Sequence, residues 1–299
     1  MASALENGSV RTQDVRATDL RVQDAAESSA SGSAAAPVHP PRSAIRTLIR
    51  ELGTVGRNTV AVAAFLALWE IAPRVGLVDP TFLVPFSTAV RALWGLAQDG
   101  QLWDDTRVSL VRSAVGFAIA LGIGVPLGLV VGWYRTVAEI LNPLFELFRN
   151  TAALALLPVF VLILGLGETS KIAIIFYACS WPILLNTISA VRTVDPLLIK
   201  SARSLGLGPL RLFQKVVLPA AVPTIFTGIR LAGAFSILIL IAAEMVGAKA
   251  GLGYLINYAQ YNFAVPDMYA GIITISAIGL VVNQLLLAVE RRFSTWRTQ

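Results

Sequence analysis

Few side chains in this sequence could do acid–base, nucleophilic or metal chemistry. Its 299 residues include one histidine, His39, and one cysteine, Cys179. A disulfide framework, a Cys/His zinc site, a Cys-His dyad and a Ser-His-Asp triad all need more than that. No Gly-x-x-x-x-Gly-Lys-Ser/Thr phosphate loop occurs, so the chain is not expected to bind and split ATP. Cys179 lies in an apolar run and reads as a small buried hydrophobe. His39 lies in the Ala/Ser/Asp/Arg-rich stretch 1–41, which ends in Pro37, Pro40 and Pro41 and reads as a disordered cytoplasmic tail.

Ionisable groups within apolar stretches are the next candidates. Arg230 and Glu244 bracket an apolar run and lie fourteen residues apart, or about 21 Å at the helical rise. Each can snorkel to its nearer interface. Alternatively one faces a bundle interior, with Glu244 as a possible outer gate and Arg230 near an inner mouth. Ser180, Asn186, Thr187, Ser189, Ser236, Thr274, Ser276 and Asn283 either bond between helices or line a path. No substrate site is assigned from them.

The elements that must position these groups follow from composition. Apolar residues make up 56% and charged residues 14%, with a mean hydropathy of +0.70. A soluble domain carries roughly 45–50% and about 25%, so this is an all-α, polytopic membrane protein. Residues 42–57 mix Arg46, Arg50 and Arg57 with Ile45, Leu48, Ile49 and Leu52, the pattern of an amphipathic interfacial helix. A transmembrane domain is expected over 58–299. Its six spans fall at about 58–76, 108–133, 152–166, 172–191, 221–246 and 268–289, most approaching the roughly 20 residues that cross about 30 Å of hydrocarbon. The thirty or so residues after the first span read as an outside segment with short surface helices. Trp69 and Glu70 near the far end of that span are placed to reach the interface.

In the second span Gly116, Ala120, Gly124, Gly128 and Gly132 follow one another at four-residue intervals. That spacing stacks small residues on one stripe and predicts helix packing at backbone distance. Pro158 breaks the third span and the fourth carries Pro182, which suits helices inside a bundle. Lys and Arg concentrate in alternate connections, at Arg135 and Arg149, at Arg192, Lys200, Arg203, Arg211 and Lys215, and at Arg291, Arg292 and Arg297. The retention of cations on the cytoplasmic side puts both termini inside. Arg74, Arg91, Arg107 and Arg112 are exceptions, offset by Asp79, Asp99, Asp104 and Asp105. The formal charge of +6 therefore reports topology and not a nucleic-acid partner.

The connection between spans four and five, residues 195–219, is the most informative segment. Asp195 with Pro196 reads as an N-cap and first helical position, with a short helix to about Leu205. Gly206 and Gly208 allow a turn, and Pro209 starts a second short helix. By pattern alone this is either a basic loop lying on lipid headgroups or a contact element. The segment resembles the signature loop of permease subunits of ATP-binding-cassette importers: Glu-Ala-Ala, three residues, Gly, nine residues, Ile-x-Leu-Pro. Ala202 fits the second alanine, Gly206 the glycine, Leu218 and Pro219 the closing pair, and Val216 stands for isoleucine, while Lys200 and Ser201 replace the glutamate and the first alanine. Residues 152–171 and 243–256 are similar to spans of the nitrate, sulfonate and taurine branch.

The resemblance implies a type I importer permease fold in the plasma (inner) membrane, with a cytoplasmic coupling helix. Leu197, Lys200, Ser201, Ala202, Arg203, Gly206, Leu218 and Pro219 would couple to an ATPase subunit. It also implies a second permease, either another copy of this chain or a related one, an extracytoplasmic solute-binding protein, ATP and Mg held by the partner ATPase, no cofactor on this chain, and a small anion or organic solute as cargo. An ion-coupled secondary transporter is the rival; it would ordinarily show internal repeats and more interior ionisable residues. An intramembrane enzyme is opposed by the shortage of His, Cys and paired Asp.

Overall fold

The computed structural model describes residues 60–294; the tail expected over 1–41 and the interfacial helix over 42–57 lie outside them. The chain divides into two units, residues 1–64 and 65–299. In the first, residues 60–64 are helical. In the second, every regular element among the described residues is a helix. These are α1 (65–74), α2 (Phe86–Gln98), α3 (Gln101–Trp133), α4 (Arg135–Arg149), α5 (Leu157–Leu164), α6 (Glu168–Arg192), α7 (Pro196–Ser204), α8 (Pro209–Met245), α9 (Leu252–Tyr261) and α10 (Val265–Ser294).

The glycine stripe of α3 lies against α6. A Cβ added at Gly116 would stand 2.8 Å from the Cβ of Ile175, one at Gly124 3.0 Å from Cγ2 of Ile183, one at Gly128 2.6 Å from the Cβ of Thr187, and one at Gly132 2.8 Å from the Cβ of Val191. Each glycine meets the residue 59 positions later, so the two helices run parallel and in constant register. On the other side of α6, α8 runs antiparallel. A Cβ at Gly228 would lie 2.5 Å from the Cβ of Asn186 and 2.8 Å from the Pro182 carbonyl, while the Cys179 thiol approaches the Ala232 carbonyl at 3.3 Å. Ile174, Ile175, Ile183, Ile239, Leu240 and Ala232 form the buried core between these three helices.

Among the described residues four helices, α3, α6, α8 and α10, are long and apolar enough to cross a membrane. The third span expected at about 152–166 takes a different form. A 3-10 turn, Ala153–Leu156, leads into the eight-residue α5, bent by 83° from α4. Eight residues rise only about 12 Å, too little to cross alone. Pro158 does not break a helix here; it sits in the first turn of α5, where its missing N–H is not needed. Parallel α3 and α6 require the chain to return between them, and α4 with α5 is the segment that does so. Counting that bent pair gives five passes. The first span expected at about 58–76 is represented among the described residues by the helical residues up to 74.

At the Glu168 end of the bundle, α1, α2 and α10 meet through aromatic contacts of Trp69 with Phe86 and Tyr269, ring centroids 5.5 Å apart in both cases. Trp69 and Glu70 turn to protein, not to an interface. Trp69 donates to the Val84 carbonyl at 3.1 Å, and the Glu70 carboxylate accepts from Ser87 N–H and Oγ, each at 2.9 Å, capping the first turn of α2. Earlier in the connection, the Thr81 N–H donates to Asp79 at 2.8 Å and holds that carboxyl below its usual range. Only α2 is a short helix in this stretch; residues 101–107, expected in the connection, are the first turns of α3.

The glycine stripe yields a paired test. Gly128→Val should lower the thermal stability of the detergent-purified protein by about 1–3 kcal/mol through overpacking against Thr187. Gly122→Ala, whose added Cβ meets nothing within 4 Å, should leave the melting temperature unchanged or slightly raised.

Candidate functional site

At the Glu168 end, three helices and a loop converge on one buried carboxylate. Glu244, the penultimate residue of α8, is almost fully buried, as is Arg112 of α3. Arg112 Nη1 lies 2.7 Å from Glu244 Oε1 and also donates to the Ala250 carbonyl at 2.7 Å. Ser109 Oγ stands 2.8 Å from both Glu244 oxygens and shares one proton between them, while the Gly253 N–H donates to Oε2 at 2.9 Å. Arg112 Nε and Nη2 form a fork onto Glu168, the first residue of α6, with Nη2 at 2.5 Å from Oε1. A planar guanidinium suits this bidentate role better than an ammonium would.

The same side of α3 fastens the loop after α8. Asp105 accepts from the Gly251 N–H at 2.7 Å and Ser109 Oγ from the Leu252 N–H at 2.9 Å. These satisfy backbone donors at the start of α9, which has no capping side chain of its own. Glycine is required at both loop positions. Gly251 has φ +115 and any Cβ there would collide with the Glu244 carboxylate, while one at Gly253 would fall 2.6 Å from the Glu244 Cβ. Lys171, also buried, donates from Nζ to the Gly167 carbonyl at 3.1 Å, one turn into α6. A cavity of about 550 Å³ borders the cluster, lined by Asp104, Arg107, Val108, Val111, Arg112, Glu168, Ile172 and Ala250.

Of the two charges singled out in the sequence, Glu244 therefore lies in the interior and does not snorkel. Arg230 lies in the middle of α8, fourteen residues before Glu244, and pairs with Glu290 of α10 at 2.9 Å, partly exposed. The two do not meet. Sequence reasoning missed Arg112, Ser109, Asp105, Glu168 and Lys171 as a group. A signal existed: Ser109, Ser113, Gly116 and Ala120 continue the small-residue stripe by one polar turn, with Arg112 beside it.

At the Arg192 end lies the 195–219 connection. Asp195 caps α7, accepting the Leu197 N–H at 2.8 Å, and Pro196 opens the helix. The helix closes with bonds from Gly206 N–H to Arg203 O and Leu207 N–H to Ala202 O, at 2.9 and 3.2 Å, with Gly206 at φ +77. That is a Schellman ending, which favours glycine at this position. Gly208 is extended at φ −68 and needs no such freedom. Leu197, Lys200, Ser201, Arg203 and Gly206 are exposed and Ala202 is buried. The second short surface helix is absent. Pro209 begins a helix that passes through a π turn, Phe213–Val217, and continues without a break to Met245. Leu218 and Pro219 belong to that helix and not to a loop.

Parallel and antiparallel apolar helices locked at glycines, with a buried ion pair at one end and an exposed helical connection at the other, define a polytopic helical membrane protein. The chain belongs to the family of binding-protein-dependent transport system inner membrane components, whose model matches residues 124–295. It is 34% identical to the taurine transport system permease protein of Escherichia coli (strain K12), over 81% of this chain and 90% of that one. It is 38% identical to the bicarbonate transport system permease protein of Synechococcus elongatus, over 77% and 86%. To the putative aliphatic sulfonates transport permease protein of Bacillus subtilis the figure is 32%, over 79% and 85%. The fold is similar to that of the inward-facing MetNI methionine ABC transporter, TM-score 0.54 at 19% identity, covering 73% of this chain and 99% of that one. The chain is thus an ABC importer permease subunit and not an ion-coupled secondary transporter.

Burying a charge without its partner is more costly than losing the pair. Glu244→Ala and Arg112→Ala should each lower stability by about 3–5 kcal/mol, and the double variant by clearly less than the sum. Thermal unfolding of the purified variants in mild detergent, read as a double-mutant cycle, checks this.

Proposed function

We propose that this permease carries a small anion or organic solute of the sulfonate, nitrate or taurine type, and that it does so as one of two permease copies. ATP and Mg bind a separate pair of cytoplasmic ATPase subunits, and an extracytoplasmic binding protein delivers the solute. Both termini and the 195–219 connection face the cytoplasm, and the Glu244 cluster faces outward. The relatives that transport taurine, aliphatic sulfonates and bicarbonate support the solute class.

The observation that carries the coupling role is the exposed apolar face of the connection. Leu197, Leu205 and Leu210 are 67%, 80% and 69% exposed, at the end of α6 opposite the ion pair. Leu197 lies in α7, Leu205 just after it and Leu210 in the first turn of α8, and exposed apolar anchors of this kind fit a hydrophobic groove on a partner. Closure of the ATPase pair on ATP would push α7, and α8 would carry that displacement as one continuous helix to Glu244. There the carboxylate holds the outer gate through α3 and the α9 loop. Arg230, paired with Glu290, ties α8 to α10 near the inner mouth. The chain contributes a path and a lever and no covalent step.

Mild-detergent purification of the tagged chain, followed by mass spectrometry, tests this reading. An ATPase subunit should co-purify with the wild type and be lost from a Leu197→Asp, Leu205→Asp variant, both positions being exposed. Retention of the ATPase by that variant, or its absence from the wild type, would sink the coupling role.

A further inference from the structure

The charges at the outer end are divided unequally. Arg112 and Glu244 cancel each other, and Ser109, Gly253 and the Ala250 carbonyl complete their hydrogen bonds. Glu168 is a second carboxylate on the same guanidinium. The Arg112 and Glu244 side chains are 4% and 0% exposed, whereas that of Glu168 is 60% exposed. If Glu168 leaves, water takes it up and the buried pair stays neutral. If Glu244 leaves, a charge is stranded in the interior. The two halves of this arrangement therefore differ in how readily they part.

The packing is divided in the same place. From Gly116 to Gly132 the helices α3 and α6 touch at backbone distance. Before Gly116, toward the outer end, α3 carries no further glycine, and the cavity of about 550 Å³ is lined there by Val108 and Val111 of α3 and by Glu168 and Ile172 of α6. Glu168 follows Gly165, at φ +81, and Gly167, and neither glycine has a neighbour within 4 Å of where a Cβ would be. The corner between α5 and α6 is thus open at its two glycines, with Leu166 between them reaching Gly247, and Lys171 is tied to the same corner through the Gly167 carbonyl.

Resting on the permease reading, we propose that Arg112 is the positioning residue of a two-part lock on the outer gate. The Arg112–Glu244 half holds in every state. The Arg112–Glu168 half parts when the gate opens, as the first turns of α6 swing away from α3 about the Gly116–Ile175 contact. Neither residue is required to touch the solute. Their role is to set how much of the closed state survives without ATP.

The test uses the complex with its co-purifying ATPase subunits and binding protein in lipid nanodiscs, and reads ATP hydrolysis. Glu168→Gln keeps the size and fold of an exposed side chain and removes its charge. Hydrolysis in the absence of binding protein should rise about fivefold, within the range of ordinary coupling energies. A second variant, Val108→Cys with Ile172→Cys, is bridged across the cavity by a bifunctional maleimide; Cys179 is buried and stays unlabelled. Bridging should abolish stimulation by the binding protein, while each single cysteine treated alike retains it. Wild-type hydrolysis in Glu168→Gln, or full stimulation of the bridged complex, would overturn the lock. A wild-type complex that hydrolyses no ATP would overturn the permease reading itself.

Discussion

Backbone-distance contact between α3 and α6 is the constraint on which the rest of the molecule depends. In lipid there is little hydrophobic gain in bringing two apolar helices together, so close packing and interhelical bonds must hold them. The α3 glycines remove the side chains that would keep the helices apart. The register they set, each glycine against the residue 59 positions later, makes the helices parallel. Parallel direction then obliges the chain to come back between them through α4 and α5. It also brings the first residue of α6 level with the Arg112 turn of α3 and aligns the far end of α6 with the exposed connection. One row of small residues thus fixes the placement of both ends.

The charged cluster answers a different requirement. A loop of glycines at 247–253 offers backbone donors that the bilayer cannot satisfy, and α3 supplies acceptors in Asp105 and Ser109. Glu244 accepts another of these donors, from Gly253, and its charge in turn calls for Arg112. The absence of side chains at Gly251 and Gly253 lets the loop close over the carboxylate. Helix end, loop and ion pair are therefore one unit, and no member can be replaced without leaving a polar group unmatched.

Features that rest on local spacing were legible in the sequence: the apolar runs, the Asp195–Pro196 start of α7, the turn at Gly206 and the four-residue glycine interval. Those that rest on distant pairing were not. Arg112 looks like an exception to the cytoplasmic bias of cations because its partner is 132 positions away. The third span looks like a plain apolar run because composition carries no bend angle. The second loop helix looks separate from the fifth span because prolines usually interrupt. Here Pro209 opens α8, where no N–H is missed, while Pro219 follows directly on the π turn and Pro223 sits within the helix, and neither ends it.

The π turn at Phe213–Val217 has a consequence for azimuth. A π turn holds one more residue than an α turn over nearly the same rise. Every side chain beyond it is therefore offset by about 100° around the axis from where an uninterrupted α-helix would put it. The direction in which Leu210 points is thereby dialled independently of the direction in which Gly228, Ala232 and Glu244 point. Insertion or loss of a single residue here would turn Leu210 about the axis while the buried faces keep their bearing.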